Sequence, residues 1–319
     1  MREDLLREVE TEYDQTRAEN ERTENARKEK IRTEYPEIYT LVREREDLVF
    51  GTLRAILNGN AETESLPEKM NRLSAGIRSK LTAAGFPADY LAPIYRCPIC
   101  KDTGRTGEPI KEPCECMKKA YQQKLRAAIG LNSEKQESFE TFDLSLFPDE
   151  PLPGRRYSQR QMMDIARDDC KEWADQYPEV PNRNMLLTGK SGLGKTFLLR
   201  AIAERLIERD VNFLIISAYK LLEIVRKAYF SNEENAGEIS GIEVLMIDDL
   251  GSEPLMQNVT VEQLFNLLNE RQNRGLSTII STNLTIQELQ GRYTERIASR
   301  LRDKNNWKVI TLEGKDIRS

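Results

Sequence analysis

Eight consecutive residues, Gly189-Lys190-Ser191-Gly192-Leu193-Gly194-Lys195-Thr196, hold the densest chemical signal in this chain. They fill every fixed position of the P-loop pattern, with Met185-Leu186-Leu187 reading as a buried strand before them and Phe197–Arg209 as a helix after them. The three glycines let the loop turn tightly enough for its backbone N–H groups to face inward on phosphate oxygens. The helix that follows adds a field favourable to an anion. Lys195 would reach the β- and γ-phosphates of a nucleoside triphosphate, and the Thr196 hydroxyl would ligate magnesium. An ordinary glycine-rich turn before a helix needs none of this agreement.

About fifty residues later, Val244-Leu245-Met246-Ile247 runs into Asp248-Asp249. Four apolar residues ending in two acids describe a central strand that delivers carboxylates to its C-terminal edge, where open α/β sheets bind ligands. Asp248 is the expected magnesium partner, held partly through water. Asp249 is placed to act as general base on an attacking water. It is one methylene shorter than the glutamate many such sites carry, so slow hydrolysis is expected. The next strand, Ser277–Ser281, ends in Thr282-Asn283, where Asn283 could hydrogen-bond that water or the γ-phosphate; alone, it would be a turn residue. In Thr294–Arg302, Ile297 and Leu301 share a buried face, while Arg296 and Arg300 share a neighbouring one at i,i+4. Such a pair either solubilises a helix or offers a cation to an adjacent subunit's γ-phosphate.

Four of the five cysteines form two close pairs, Cys97-Pro-Ile-Cys100 and Cys114-Glu-Cys116, framing a 13-residue loop. Four thiolates suit tetrahedral zinc, and four protein ligands leave no open position, so the expected role is structural. The chain has no histidine, so the site is all-cysteine or absent, and His-based catalysis is excluded. A disulfide pair is the competing account, disfavoured in a reducing compartment. Cys170 stands apart on a predicted helix and reads as a packed thiol.

The elements that must position these groups follow from patterning. Region 1–35 is dense in Glu and Arg and has no sustained heptad, so a solvated helix with i,i+4 ion pairs is expected. From Pro36 to Asn58 apolar residues recur at helical spacing, predicting a helix ended by Gly59-Asn60, with one apolar face open to a partner. A further helix spans Pro67–Ala84. After the linker-like Pro148–Gly154, short apolar runs alternate with amphipathic helices, implying a parallel sheet covered on both faces. The expected fold class is therefore α/β: a P-loop domain with a parallel sheet, preceded by a helical N-terminal unit and a small zinc module. The expected boundaries are 1–90, 91–120, a linker at 121–154, and 155–319.

The net charge of −5 rules out a polycation, so nucleic-acid binding would need a local patch. Candidates on one helix are Tyr219, Lys220, Arg226, Lys227 and Tyr229, although most of these suit an amphipathic helix packed on the sheet. No apolar run reaches transmembrane length and no secretory leader is visible, so no membrane association and a cytoplasmic location are expected.

Taken together, residues 90–319 resemble the AAA+ ATPases, and among them the bacterial replicative helicase loaders of the DnaC/DnaI type. The resemblance rests on the cysteine cluster, Phe139-Glu140-Thr141-Phe142-Asp143, the P-loop and the later arginines. It implies ATP and magnesium as cofactors, Asn283 as first sensor, Arg300 as an arginine finger acting in trans, and Arg318 as second sensor. Arg296 is a weaker candidate for a nucleotide or interface contact. It further implies ATP-dependent self-association, single-stranded DNA binding, and an N-terminal unit that grips a hexameric replicative DNA helicase. The transposition helper ATPases of the IstB type share the core and are the nearest alternative. An ATP-binding switch with negligible hydrolysis and a small-molecule kinase are others, the kinase accounting for the P-loop but not for Asn283 with Arg296 and Arg300.

Overall fold

Helix-forming charged residues dominate the N-terminal third, and they build α1 (Arg2–Glu34), α2 (Pro36–Leu57) and α3 (Leu66–Ala83). The structure is a computed structural model that describes residues 2–57, 66–131, 137–231, 239, 241–254 and 259–318. The side chains of 2, 51–57, 66, 226–231 and 259 are not among those described. Pro36 cannot continue α1 but fits the first turn of α2, so the chain bends there. The apolar face of α2 is mostly used inside the unit. Ile38 and Val42 pack with Ile31, Ile77 and Leu81, each at most 3% exposed. Of that face's described side chains Val49, 40% exposed, is the open one, with Phe50 beside it at 68%, so the face expected to be open to a partner is covered over Ile38–Val42. Gly59 and Asn60 lie outside the described residues.

α1 is also less solvated than its composition suggests. Val9 and Ile31 are fully buried, and polar side chains along it reach the cysteine segment. Asn20 donates to Asp102 at 2.9 Å, Glu24 accepts from the Ile94 N–H at 2.8 Å, and Arg105 pairs with Glu10 at 3.1 Å. A short hairpin, β1 (Arg105–Thr106) with β2 (Glu112–Pro113), precedes α4 (Glu115–Ala128). Residues 1–121 form one compact unit and 122–319 a second.

The second unit runs α5 (Gln159–Gln176), β3 (Asn184–Thr188), α6 (Lys195–Glu208), β4 (Phe213–Ser217), α7 (Ala218–Ser231) and β5 (Val244–Leu250). It continues with α8 (Val259–Asn273), β6 (Ser277–Thr282), α9 (Ile286–Tyr293), α10 (Glu295–Leu301) and β7 (Trp307–Thr311). The five long strands are all parallel, in the order β4-β5-β6-β3-β7. Side chains alternate across a strand, and here both faces are apolar. Leu186, Leu245, Ile247 and Ile280 join a core with Leu221, Leu264, Leu289, Ile297 and Leu301 of α7–α10. Their neighbours Met185, Leu187, Met246 and Ile279 are equally buried toward the opposite side. Each such side chain stabilises the fold by about 1.5–3 kcal/mol. The α/β class with a parallel sheet, after a helical region carrying the cysteine cluster, is thus as expected.

Two local features depart from the periodicity. The helix expected over Thr294–Leu301 is one of two, because Thr285 and Glu288 form a capping box that starts α9 earlier. Thr294, at φ 79°, separates α9 from α10. Arg271 of α8 is fully buried. It donates to the carbonyls of Ile242 (2.8 Å) and Ser277 (2.5 Å) and to the Thr278 hydroxyl (3.0 Å), pinning the start of β6. Burial pulls its pKa down to about 10. Cys170 is buried beside Met185, Sγ to Sδ 3.7 Å, as a packed thiol should be.

Candidate functional site

Strand order builds the site. Because β6 lies between β3 and β5, three neighbouring strands end side by side. They present the loop 189–194, the acids of β5, and Ser281-Thr282-Asn283. The cleft between them measures about 360 Å³. Its walls include Ser191, Lys195, Thr196, Asp248, Asn283 and Arg318. That is large enough for a small ligand.

The loop takes the shape its glycines permit. Gly192 (φ 75°) and Gly194 (φ 85°) adopt left-handed backbone that other residues reach only with strain. Gly194 is the N-cap of α6, so Lys195 and Thr196 open that helix and its first N–H groups face the cleft. Leu193 is buried under the loop. The Lys195 ammonium, 6% exposed, donates to the carbonyls of Gly189 (2.6 Å) and Lys190 (2.7 Å). Burial lowers its pKa below the usual lysine range, against the opposing pull of Asp249 and Asp248.

The Thr196 hydroxyl donates to Asp248, with Oγ1 3.2 Å from each carboxylate oxygen. Ligands at 2.0–2.1 Å in an octahedron sit about 2.9 Å apart, so this oxygen pair fits a shared magnesium. Ser281 completes the set. Its hydroxyl donates to Asp248 at 2.5 Å and accepts from the Asp249 N–H at 2.9 Å. Sequence reasoning gave Ser281 no role, since only the strand register reveals it. Ile247 pairs with Ile280 and Leu250 with Thr282, so Ser281 faces a bulge that holds both aspartates. A bulge re-aims side chains at sheet edges. Asp249 sits at φ 58° in this one and accepts from Asn283 at 2.6 Å. The structure therefore brings Asp248, Asp249, Asn283, Lys195 and Thr196 together.

Arg318 joins them from the segment after β7. It donates to Ser191 Oγ at 2.9 Å and is paired with Asp316, whose carboxylate raises its pKa. The motif Phe139–Asp143, which the sequence marked only through the resemblance, lies close by. Phe142 stacks on Phe147 (5.6 Å) and meets Phe197 edge-on (5.2 Å), which places the segment around Phe139–Asp143 beside the start of α6. Arg300 does not line the cleft. It donates to Asn269 at 2.8 Å and lies 4.2 Å over the Phe265 ring. Arg296, exposed, instead lines a second cleft with Phe265, Arg292 and Glu295. On α7, Tyr219 is exposed and Lys220 pairs with Glu223 at 3.0 Å, while Leu221 and Val225 are buried. The side chains of Arg226, Lys227 and Tyr229 lie outside the described ones.

In the first unit, the four sulfurs of Cys97, Cys100, Cys114 and Cys116 lie within 4.8 Å of one another. Cys97 and Cys114 are 4.0 Å apart, Cys100 and Cys116 3.5 Å. Bonded sulfurs would be about 2.0 Å apart, so no disulfide is present in this set. A tetrahedron with 2.3 Å zinc–sulfur bonds has edges of about 3.8 Å, which these separations match. The backbone N–H of Cys100 holds the Cys97 thiol down to about 7, whereas burial pushes Cys116 up to about 12. Asp102, 1% exposed, orders the knuckle by accepting from the N–H groups of Arg96 (2.9 Å) and Cys97 (2.7 Å).

Residues 156–307 match the family described as IstB-like ATP-binding proteins. The chain is 27% identical over 231 residues to the replicative helicase loader DnaI of Bacillus subtilis, covering 71% of this chain and 65% of that protein. It is 27% identical over 146 residues to the replicative helicase loader DnaC of Escherichia coli K12, covering 43% and 58%. The chain thus spans less than two thirds of either curated relative. A crystal structure of DnaI aligns at 27% identity and a TM-score of 0.43, covering 57% of this chain and 90% of that one.

Proposed function

We propose that this chain, whose residues 156–307 carry an IstB-like ATP-binding domain, is an ATP-dependent loader of a hexameric replicative DNA helicase. One observation carries the nucleotide half of this reading: the P-loop, Thr196 with Asp248, and Asp249 with Asn283 converge on one cleft at the sheet edge. The other half rests on likeness to two replicative helicase loaders, one of which aligns over 71% of the chain.

In this reading Gly189, its N–H held by the Thr282 carbonyl, starts the loop, Ser191, Gly192, Leu193 and Gly194 wrap the phosphates with backbone N–H groups, and Lys195 turns from its carbonyl partners to the β- and γ-oxygens. Thr196 and Asp248 hold magnesium, which supplies charge neutralisation when bound. Asp249 orients and deprotonates the attacking water, and Asn283 fixes the Asp249 carboxylate. Arg318 contributes a second cation from the same chain. Arg300, outside the cleft, acts on the cleft of an adjacent copy, so self-association completes the site and hydrolysis follows assembly. Cys97, Cys100, Cys114 and Cys116 hold a structural zinc, and unit 1–121 grips the helicase. Single-stranded DNA binds the ATPase unit, with Lys220, Arg226 and Lys227 as candidate phosphate contacts.

The family match favours one second reading, a transposition helper of the IstB type. Affinity capture with the full chain and magnesium-ATP separates the two. Recovery of a hexameric helicase, strengthened by ATP and lost with Val49 and Phe50 changed to serine, is the result expected; recovery of a transposase alone overturns it.

A further inference from the structure

The segment that follows β7 is fastened along its length. The Leu312 N–H donates to the Thr188 carbonyl, Glu313 pairs with Arg155 at 2.7 Å, and Lys315 exchanges two 2.9 Å hydrogen bonds with the buried Gln159 of α5. The Ile317 N–H then donates to the Gly192 carbonyl at 3.1 Å. These ties press the Asp316 carboxylate flat against the α-carbon of Gly192, so closely that any Cβ at Gly192 would collide with it. Glycine at this position therefore answers two demands, a φ of 75° and the approach of an acid.

The acid has the sign of the ligand. A loop whose N–H groups and helix N-terminus attract anions has a carboxylate packed on its middle glycine. That same carboxylate engages the cation best placed to help. Asp316 Oδ1 accepts from the Arg318 N–H (2.9 Å) and Nε (3.1 Å), and Oδ2 accepts from Nη2 (3.0 Å), a bidentate arrangement. Arg318 Nη2 also donates to Ser191 Oγ, so the ion pair lies against the loop. Ile317 and Arg318 line the cleft itself.

We propose that Asp316 is a built-in competitor of nucleotide phosphate: it neutralises Arg318 across the P-loop and sets the affinity of the site, so that ligand binding requires Arg318 to change partners. This rests on the nucleotide-site reading above. When only a fraction of molecules hold a competent Arg318, the apparent affinity falls by that fraction. Three neighbouring tethers hold the acid in place, which makes it a standing term of the site.

The test measures binding of a fluorescent ATP analogue, with magnesium, to the full zinc-loaded chain. Asp316→Asn and Asp316→Ala should each bind about two- to fivefold more tightly than the unmodified chain, the range an exposed ion pair supports. Tighter binding cannot arise from partial unfolding. In an Arg318→Ala background, adding Asp316→Asn should change affinity by less than half as much on a logarithmic scale, because the competition runs through that cation. Equal or weaker binding by both single variants, with the unmodified chain binding normally, overturns this inference and leaves the nucleotide site standing. A full gain retained without Arg318 overturns it as well. Failure of the unmodified chain to bind the analogue at all overturns both.

Discussion

Replacing Ser281 by alanine removes one hydroxyl, so the Asp249 N–H loses its acceptor and Asp248 loses one of its two hydroxyl donors, keeping Thr196. The hydroxyl is 1% exposed, donates to the Asp248 carboxylate at 2.5 Å, and accepts from the Asp249 N–H at 2.9 Å. A hydrogen bond to a charged group contributes about 1.5–3 kcal/mol, and a stranded buried N–H costs about 1–3 kcal/mol. Alanine is smaller, so no steric cost is added. With Asp248 partly solvated, the lower half of each range applies, giving a loss of about 2–4 kcal/mol for the second unit. For a unit of this size each kcal/mol shifts Tm by about 2–4 °C, so the melt should fall by roughly 4–16 °C. Magnesium-dependent nucleotide binding should weaken too, because Asp248 and the bulge lose a shared anchor. Thermal unfolding followed by circular dichroism, with and without magnesium-ATP, measures both. A Ser281→Ala variant that melts within about 1 °C of the parent and binds magnesium-nucleotide equally would refute the account of how the acids are aimed.

Arg271→Ala should destabilise the second unit by about 3–5 kcal/mol, since it removes the charged donor to the carbonyls of Ile242 and Ser277 and opens a cavity; denaturant unfolding reads this directly, and a loss under about 1 kcal/mol contradicts it. Metal analysis should find one zinc per chain. Chelation should release the knuckle held by Asp102 and, through the Asn20–Asp102 bond, part of the order of α1, lowering helical signal while nucleotide binding persists. A metal-free chain with an unchanged spectrum refutes the zinc assignment.

The sequence disclosed most where function demands fixed residue types at fixed spacing. The P-loop, the apolar run into Asp248-Asp249 and the paired cysteines were readable because each is a pattern of fixed residue types within a few positions of the chain. Strand positions were legible for a related reason, as strands buried on both faces appear as short continuous apolar runs. What escaped depends on contacts distant in sequence. Ser281 matters only through its register opposite the bulge, and Asp316 only because β7 returns beside β3 and carries it onto Gly192. The face of α2 looked open since nothing local says that Ile31, Ile77 and Leu81 cover it. Arg271 drew no reading from the sequence, because no pattern in one chain announces a buried guanidinium. Arg300 shows a different boundary: its spacing suggested exposure, and the fold lays it over Phe265 and against Asn269.

Calorimetric titration of the full chain with ATP, with magnesium and with EDTA, puts the shared sheet-edge cleft to trial most directly. One nucleotide per chain should bind in magnesium, more weakly in EDTA, and not measurably to Lys195→Ala, whose fold should otherwise survive. Equal heats from the parent and Lys195→Ala would place any nucleotide elsewhere and contradict the account.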